Sequence, residues 1–205
     1  GFEYQNINIE NQKVIFMGSI NMACLVKKHL STCSPVIFGE DEDFLCSSYY
    51  PNHLKYLFND KHQFLTLKEL KETKWDIYAK FGKEALIFIR PDSGDKTFTG
   101  QLLDLQDFDK FGEDNVRYNV SDDTIVVVST PKNIIGEWRF IVSREKIISY
   151  SLYVYQKQRT HVYGAPRQAI DLVNDIIKNG KLPADICAVD IAQDSDLNCW
   201  LLEFN

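Results

Sequence analysis

The sequence predicts an α+β protein in which a small α/β unit, residues 1–74, precedes a strand-rich domain, residues 75–205. A strand, helix and strand pattern indicates the first unit, because apolar runs at 13–17 and 35–38 flank helical spacing at 20–30. Successive β-type runs at 124–129, 137–142 and 146–155, then two closing strands at 185–191 and 199–204, indicate the second. Since these strands follow one another closely, we expect mainly antiparallel sheets.

Composition narrows the class of protein. Of the 205 residues, 44% are hydrophobic and 13% aromatic, which is enough for a packed core. The 23 basic and 29 acidic residues give a net charge of −6, which argues against nucleic acid as a partner. No apolar run reaches the ~18–20 residues that cross a bilayer, and five scattered cysteines are typical of reduced thiols. We therefore expect a cytoplasmic protein with no membrane partner; its oligomeric state is unknown.

Three further elements are predicted from spacing. Residues 85–90 are typical of a buried strand, and residues 102–111 of a helix. Residues 165–178 form the strongest helical pattern, with an apolar stripe that includes Val173 and Ile176. Pro166 lies near the first turn of that helix and Gly180 lies just past its end, as helix boundaries favour.

Polar side chains on the two closing strands suggest a metal site. Side chains alternate between faces along a strand, so Glu203 and Asn205 share one face. A hairpin centred on 195–196 would place Asp190 opposite Leu201 and diagonal to Glu203 on that same face. Trp200, Leu202 and Phe204 would then form the deeper face.

Two carboxylates and an amide oxygen are hard ligands that suit Mg²⁺, which also keeps waters and bridges to phosphates. Ordinary solvent-exposed strand acids would produce the same pattern. The residues alone leave both interpretations of Asp190, Glu203 and Asn205 open.

Two cationic positions suggest phosphate binding. Arg90 ends an apolar strand, and Lys96 follows Gly94 in a polar turn whose backbone N–H groups could add donors. Glu137 and Arg139 project from one face of a later strand, where an arginine could neutralise charge on a phosphate. Surface charges and a structural cross-strand ion pair are the respective alternatives.

Taken in order, these segments resemble the ATP-grasp superfamily. The segments are 87–100, beginning Ile-Phe-Ile-Arg-Pro, then 125–131, 137–142, 188–191 and the closing Trp-Leu-Leu-Glu-Phe-Asn of 200–205. The likeness is greatest to the clade that carries arginine instead of the usual strand lysine, which is common in phages and bacteria. The resemblance implies two α/β lobes that grip ATP between mainly antiparallel sheets, preceded by a small α/β unit.

The resemblance also implies functional residues. They fall into nucleotide contacts (Arg90, Lys96, Lys80, Val128, Ser129 and Thr130), catalytic residues (Arg139, Lys96 and Glu137) and ligands of Mg²⁺ (Asp190, Glu203 and Asn205). Family members normally continue beyond the position of Asn205, which indicates a fragment or a missing tail. A phage-encoded chain would function in the cytoplasm of its host.

The implied function is an Mg²⁺/ATP-dependent ligase that joins a carboxylate to an amine or related nucleophile through an acyl-phosphate. Two alternatives stay open: an ATP-binding regulatory or assembly module without ligase activity, and ATP-dependent phosphotransfer to a macromolecule. Neither the carboxylate nor the nucleophile can be identified from the sequence.

Overall fold

The computed structural model describes residues 41–93, 98–111 and 120–205, together with the isolated helical positions Leu25, Val26 and Lys28. The strands predicted at 13–17 and 35–38 lie outside these residues. So do most of the helix predicted at 20–30, and the central part of the polar turn, including Gly94 and Lys96.

Strands dominate the described ranges. They are β1 His62–Thr66, β2 Leu86–Pro91, β3 Gln101–Asp104, β4 Ile125–Ser129, β5 Ile134–Ser143, β6 Lys146–Tyr155, β7 Gln158–Tyr163, β8 Ile186–Asp194 and β9 Cys199–Phe204. The helices are α1 Cys46–His53, α2 Leu67–Glu72, α3 Lys74–Phe81 and α4 Arg167–Asn179, with 3₁₀ turns at Asp41–Phe44 and Phe108–Lys110.

The strands form two antiparallel sheets. Four strands pair in the order β1-β4-β2-β3, and five pair in the order β7-β6-β5-β8-β9. The chain passes from the first sheet to the second through residues 130–133, between β4 and β5. This arrangement confirms the predicted α+β class with mainly antiparallel sheets.

Each sheet packs helices on one face. Val173 and Ile176 of α4 and Tyr49 of α1 are buried in one core with Phe140 and Val189 of the five-stranded sheet. A second core joins α2 and α3 to the four-stranded sheet. Because each fully buried large apolar side chain contributes about 1.5–3 kcal/mol, these helices hold one face of each sheet while its other face stays available.

The described structure tests the predicted helices directly. The helix predicted at 165–178 is α4, with Pro166 at its N-cap and Gly180 at its C-cap, as expected. The helix predicted at 102–111 is wrong, because Gln101–Asp104 forms strand β3 against β2. Leu103 is buried beside Ile87 whereas Leu102 is exposed, which is the two-residue alternation of a strand.

Residues before β1 also belong to this fold. Leu57 bridges to Leu201, the Phe58 N–H donates to the Leu201 carbonyl at 2.8 Å, and the Leu201 N–H donates to the Tyr56 carbonyl at 2.7 Å. This segment covers part of the outer edge of β9. The boundary near residue 75 stays a prediction, although β1, which precedes it, pairs with β4, which comes after it.

Candidate functional site

The predicted polar face of the closing strands exists, with a different register. Asp190 pairs directly with Glu203, and Ile191 pairs with Leu201, so Leu202 is an extra residue in a β-bulge. The predicted pairing of Asp190 with Leu201 is therefore wrong by this bulge. The amide of Asn205 donates to Asp190 Oδ2 and to Glu203 Oε1, each at 3.1 Å, so the three side chains converge as predicted.

The same bulge changes which side chains of β9 are deep. Leu201 and Phe204 are buried, whereas Trp200 and Leu202 are only partly buried, so the predicted deep face of Trp200, Leu202 and Phe204 is wrong for two of its three members. An extra residue shifts the alternation by one position, which strict two-residue periodicity does not anticipate.

Arg90 connects the two sheets. Its Nη2 lies 2.7 Å from Glu203 Oε2, although the two residues are 113 positions apart in the chain. The side chain of Arg90 is 12% exposed and that of Glu203 is 22% exposed, so this ion pair is largely shielded from water. A guanidinium from the four-stranded sheet thus reaches the acidic face of the five-stranded sheet.

Arg139 makes a bidentate ion pair with Asp190. Its Nε lies 2.8 Å from Oδ1 and its Nη2 lies 2.7 Å from Oδ2, across neighbouring strands β5 and β8. Asp190 is fully buried, and this burial raises the pKa of its carboxyl to about 6. Arg139 opposes the rise in that pKa, whereas the nearby carboxylates of Glu203 and Glu137 add to it.

Tyr153 is part of this cluster and was not among the predicted residues. Its hydroxyl donates to Glu137 Oε2 at 2.7 Å and lies 3.4 Å from Asp190 Oδ2. The guanidinium carbon of Arg139 lies 5.3 Å from the centre of its ring. Tyr153 stands in an ordinary alternating β-type run, so the sequence offers no signal that sets it apart.

An open cleft of about 390 Å³ lies beside this cluster, between the two sheets. Glu137 and the connecting residues 130–133 are among the residues that line it. Its apolar lining includes Leu86, Phe88, Leu102, Ile134, Val154 and Leu202. The cleft therefore combines apolar walls with a charged cluster at its side, as sites for small polar molecules do.

The three predicted hinge positions differ in their access to the cleft. β4 lies between β1 and β2, so the backbone groups of Val128 and Ser129 are already paired within the sheet. The Ser129 hydroxyl also donates to Asn59 at 3.2 Å. Thr130, the first residue after β4, lines the cleft. Of the three, Thr130 is therefore the position whose backbone can reach a bound molecule.

The two predicted lysines have different outcomes. Lys80 lies on α3, where its Nζ donates to Gln63 Oε1 at 2.9 Å, and it is not among the residues that line the cleft. Lys96 lies outside the described residues. The first part of its turn is fixed, because Asp92 accepts from the Ser47 N–H and the Ser47 hydroxyl, each at 2.7 Å. A nucleotide contact by either lysine stays a prediction.

The residues that converge fit a magnesium ion by the chemistry of their donors. Asp190 and Glu203 supply carboxylate oxygens and Asn205 supplies an amide oxygen, all of them hard ligands. Within 41–93, 98–111 and 120–205, no group of three or more His, Cys, Asp and Glu side chains is arranged to hold a metal. Water and phosphate oxygens would have to complete the ligand set, so the metal role stays a prediction.

Paired antiparallel sheets, with cations and acids meeting at the cleft between them, define the class of nucleotide-gripping domains that the sequence resembles. A family model of the ATP-grasp domain, family 2 of the clade named for its arginine and lysine exchange, matches residues 62–205, which is more than two thirds of the chain. The chain belongs to this family, which confirms the predicted ATP-grasp superfamily.

Solved structures share this fold. A RimK domain ATP-grasp protein from Sphaerobacter thermophilus has a TM-score of 0.61 and 16% identity, over 90% of this chain and 68% of its own. The D-cycloserine synthetase DcsG has a TM-score of 0.52 and 12% identity, over 99% and 78%. N5-carboxyaminoimidazole synthetase from Staphylococcus aureus, complexed with ADP, has a TM-score of 0.53 and 15% identity, over 78% and 43%.

The likeness to larger ligases covers only part of their length. The chain spans 45% of the length of the ATP-grasp ligase PsnB complexed with a minimal precursor, at a TM-score of 0.47. No curated protein matches the sequence. Among the described residues, no helix combines the length and apolar character needed to span a membrane.

Proposed function

We propose that the chain binds Mg²⁺ and ATP as part of a ligase that joins a carboxylate to an amine or a related nucleophile. The observation that carries this proposal is the contact of Arg90, from one sheet, with Glu203 of the other, beside Asp190, Asn205 and Arg139. Cations and hard oxygen ligands thereby meet where an ATP-grasp domain needs them for a triphosphate.

Each part of the site has a task in this proposal. The apolar cleft takes the adenine ring, with backbone groups near Thr130 available to its polar edge. Arg90 and Arg139 bind phosphate oxygens, because a guanidinium presents paired donors in a fixed plane. Asp190 and Glu203, which those arginines neutralise in the present structure, become available as oxygen ligands when the arginines turn to the phosphates.

The proposed reaction has two steps. An oxygen of the substrate carboxylate attacks the γ-phosphorus of ATP, and the bond to the β,γ-bridging oxygen breaks to release ADP. The nucleophile then attacks the carbonyl carbon of the acyl-phosphate, loses a proton and expels inorganic phosphate. Mg²⁺, when bound, would offset negative charge on the phosphates. Arg139 and Arg90 contribute the same kind of stabilisation from the protein.

The proteins of similar fold support this assignment in general terms. D-cycloserine synthetase and N5-carboxyaminoimidazole synthetase are both named as synthetases, and the latter is complexed with ADP. Their identities of 12% and 15% carry no information about the substrates of this chain. The carboxylate and the nucleophile are therefore proposed only as chemical classes.

Calorimetry of ATP binding in the presence of Mg²⁺ tests the nucleotide site. The double variant Asp190→Asn, Glu203→Gln removes both carboxylates with little change of shape, and we expect affinity to fall at least about tenfold. Asp196→Asn, at an exposed position in the β8–β9 turn, is the matched control and should bind as the parent does. Equal affinity of the parent and the double variant would contradict the metal assignment.

Release of ADP tests the ligase activity separately. The parent is incubated with Mg²⁺–ATP and a panel of carboxylates and amines, and we expect release only when a matching pair is present. Tight binding of ATP without release across a broad panel would favour a binding module. Transfer of the γ-phosphate to a protein or RNA would instead favour phosphotransfer.

A further inference from the structure

The placement of Tyr153 depends on a β-bulge. In the pairing of β5 with β6, Glu137 lies opposite Val154 and Trp138 lies opposite Leu152, so Tyr153 is the extra residue. Bulges commonly redirect a side chain beside an active site. Here the extra residue brings a phenol hydroxyl to the same face as Arg139.

The hydroxyl of Tyr153 lies between two carboxylates. It donates its one hydrogen to Glu137 Oε2 at 2.7 Å and lies 3.4 Å from Asp190 Oδ2. Burial, then the charge of Asp190, then the hydrogen bond to Glu137 raise the pKa of Tyr153, so the hydroxyl keeps its proton and remains a donor. Glu137 is thereby held beside Asp190 in spite of their like charges.

The charge balance of the cluster shows what this achieves. Arg90 and Arg139 supply two positive charges, whereas Glu137, Asp190 and Glu203 supply three negative charges when ionised. The surplus negative charge favours a divalent cation and disfavours a nucleotide that arrives without one. Because Glu137 also lines the cleft, its carboxylate would move into open space if no donor held it.

We propose that Tyr153 is a positioning residue of the nucleotide site, which holds Glu137 beside Asp190 and thereby makes nucleotide binding dependent on a divalent cation. This inference rests on the proposed function. Tyr153 acts through Glu137 and need not touch the nucleotide. A purely structural role, in which the ring packs beneath Arg139, predicts no such dependence.

The test compares ATP binding by calorimetry in Mg²⁺ and in EDTA. Tyr153→Phe keeps the ring and removes the hydroxyl, and we expect affinity in Mg²⁺ to fall about fivefold to tenfold, with affinity in EDTA unchanged or slightly higher. Tyr155→Phe, two residues along the same strand at a half-exposed position, is the matched control and should match the parent in both conditions.

A double-mutant cycle tests whether Tyr153 acts through Glu137. Glu137→Gln should lower affinity in Mg²⁺, and adding Tyr153→Phe to it should lower that affinity no further. Glu137→Asp keeps the charge and shortens the reach to the hydroxyl, so it should reproduce the loss seen with Tyr153→Phe. Glu137→Asp carries the test alone if Tyr153→Phe does not fold.

The outcomes separate this inference from the proposed function. Parent-like binding by both Tyr153→Phe and Glu137→Asp, or equal losses in Mg²⁺ and EDTA, would overturn the inference while leaving the proposed function intact. Additive losses in the cycle would also overturn it. If the parent binds no ATP in Mg²⁺, the proposed function fails and the inference fails with it.

Discussion

Asp190→Asn tests the balance of forces at the centre of the site. Burial of the Asp190 carboxylate opposes its charge, and the bidentate contact with Arg139 favours its charge. The pKa of Asp190 rises from the ordinary value of 3.8 to about 6, so burial wins. At about 1.4 kcal/mol per pKa unit, holding the charge in the folded state at pH 7.5 costs about 3 kcal/mol.

The substitution also removes a favourable contact. Asparagine offers Arg139 one acceptor instead of two, and a hydrogen bond to a charged group contributes about 1.5–3 kcal/mol. The side chain of Arg139 is 42% exposed, so water replaces part of this loss. We therefore expect Asp190→Asn to be about 1 kcal/mol more stable than the parent at pH 7.5, as is common when a functional charge is removed.

Urea denaturation in EDTA, followed by circular dichroism from pH 4 to pH 7.5, measures this difference. The parent carries a raised pKa in the folded state, so its stability from this group is complete below about pH 4 and is lost as pH rises through about 6. The advantage of the variant should grow over that range and then level off. A variant that is less stable at pH 7.5, or a difference that does not change with pH, would refute the reasoning.

Three further predictions concern stability and are measured by urea denaturation. Arg139→Met leaves the buried Asp190 carboxylate unpaired, so we expect a loss of about 2 kcal/mol at pH 7.5 that shrinks at pH 5; a loss independent of pH would contradict this explanation. Ile176→Ala opens a cavity in the core beneath α4 and should cost about 3 kcal/mol, whereas Ile177→Ala, at a partly buried neighbour, should cost less; equal losses would argue against the burial pattern. Thr66→Ala removes the side chain that caps α2 and should cost about 1 kcal/mol; a change below about 0.3 kcal/mol would show that the cap is dispensable.

Much of the fold can be predicted because it depends on local patterns. The apolar stripe of α4, with its proline and glycine boundaries, and the alternating runs of β5 and β6 each lie within a short window of sequence. Strand β3 is predicted wrongly as a helix because its four residues are too few to show a period. Its pairing with β2, more than ten residues earlier, decides its conformation.

The candidate site can be predicted only in part. Alternation and the hairpin place Asp190, Glu203 and Asn205 on one face, and their convergence is confirmed; their role as ligands of Mg²⁺ stays a prediction. The sequence identifies Arg90 and Arg139 as candidate phosphate contacts, but it does not predict the acids that pair with them in the structure.

The sequence by itself determined the class of fold, the family resemblance and the acidic face of the closing strands, because each depends on the order and spacing of nearby residues. Only the tertiary structure decided that Arg90 contacts Glu203, and that bulges at Tyr153 and Leu202 aim the site. A bulge is selected by packing between neighbouring strands, and an ion pair across 113 residues is selected by the approach of two sheets. Neither leaves a periodic pattern in the sequence.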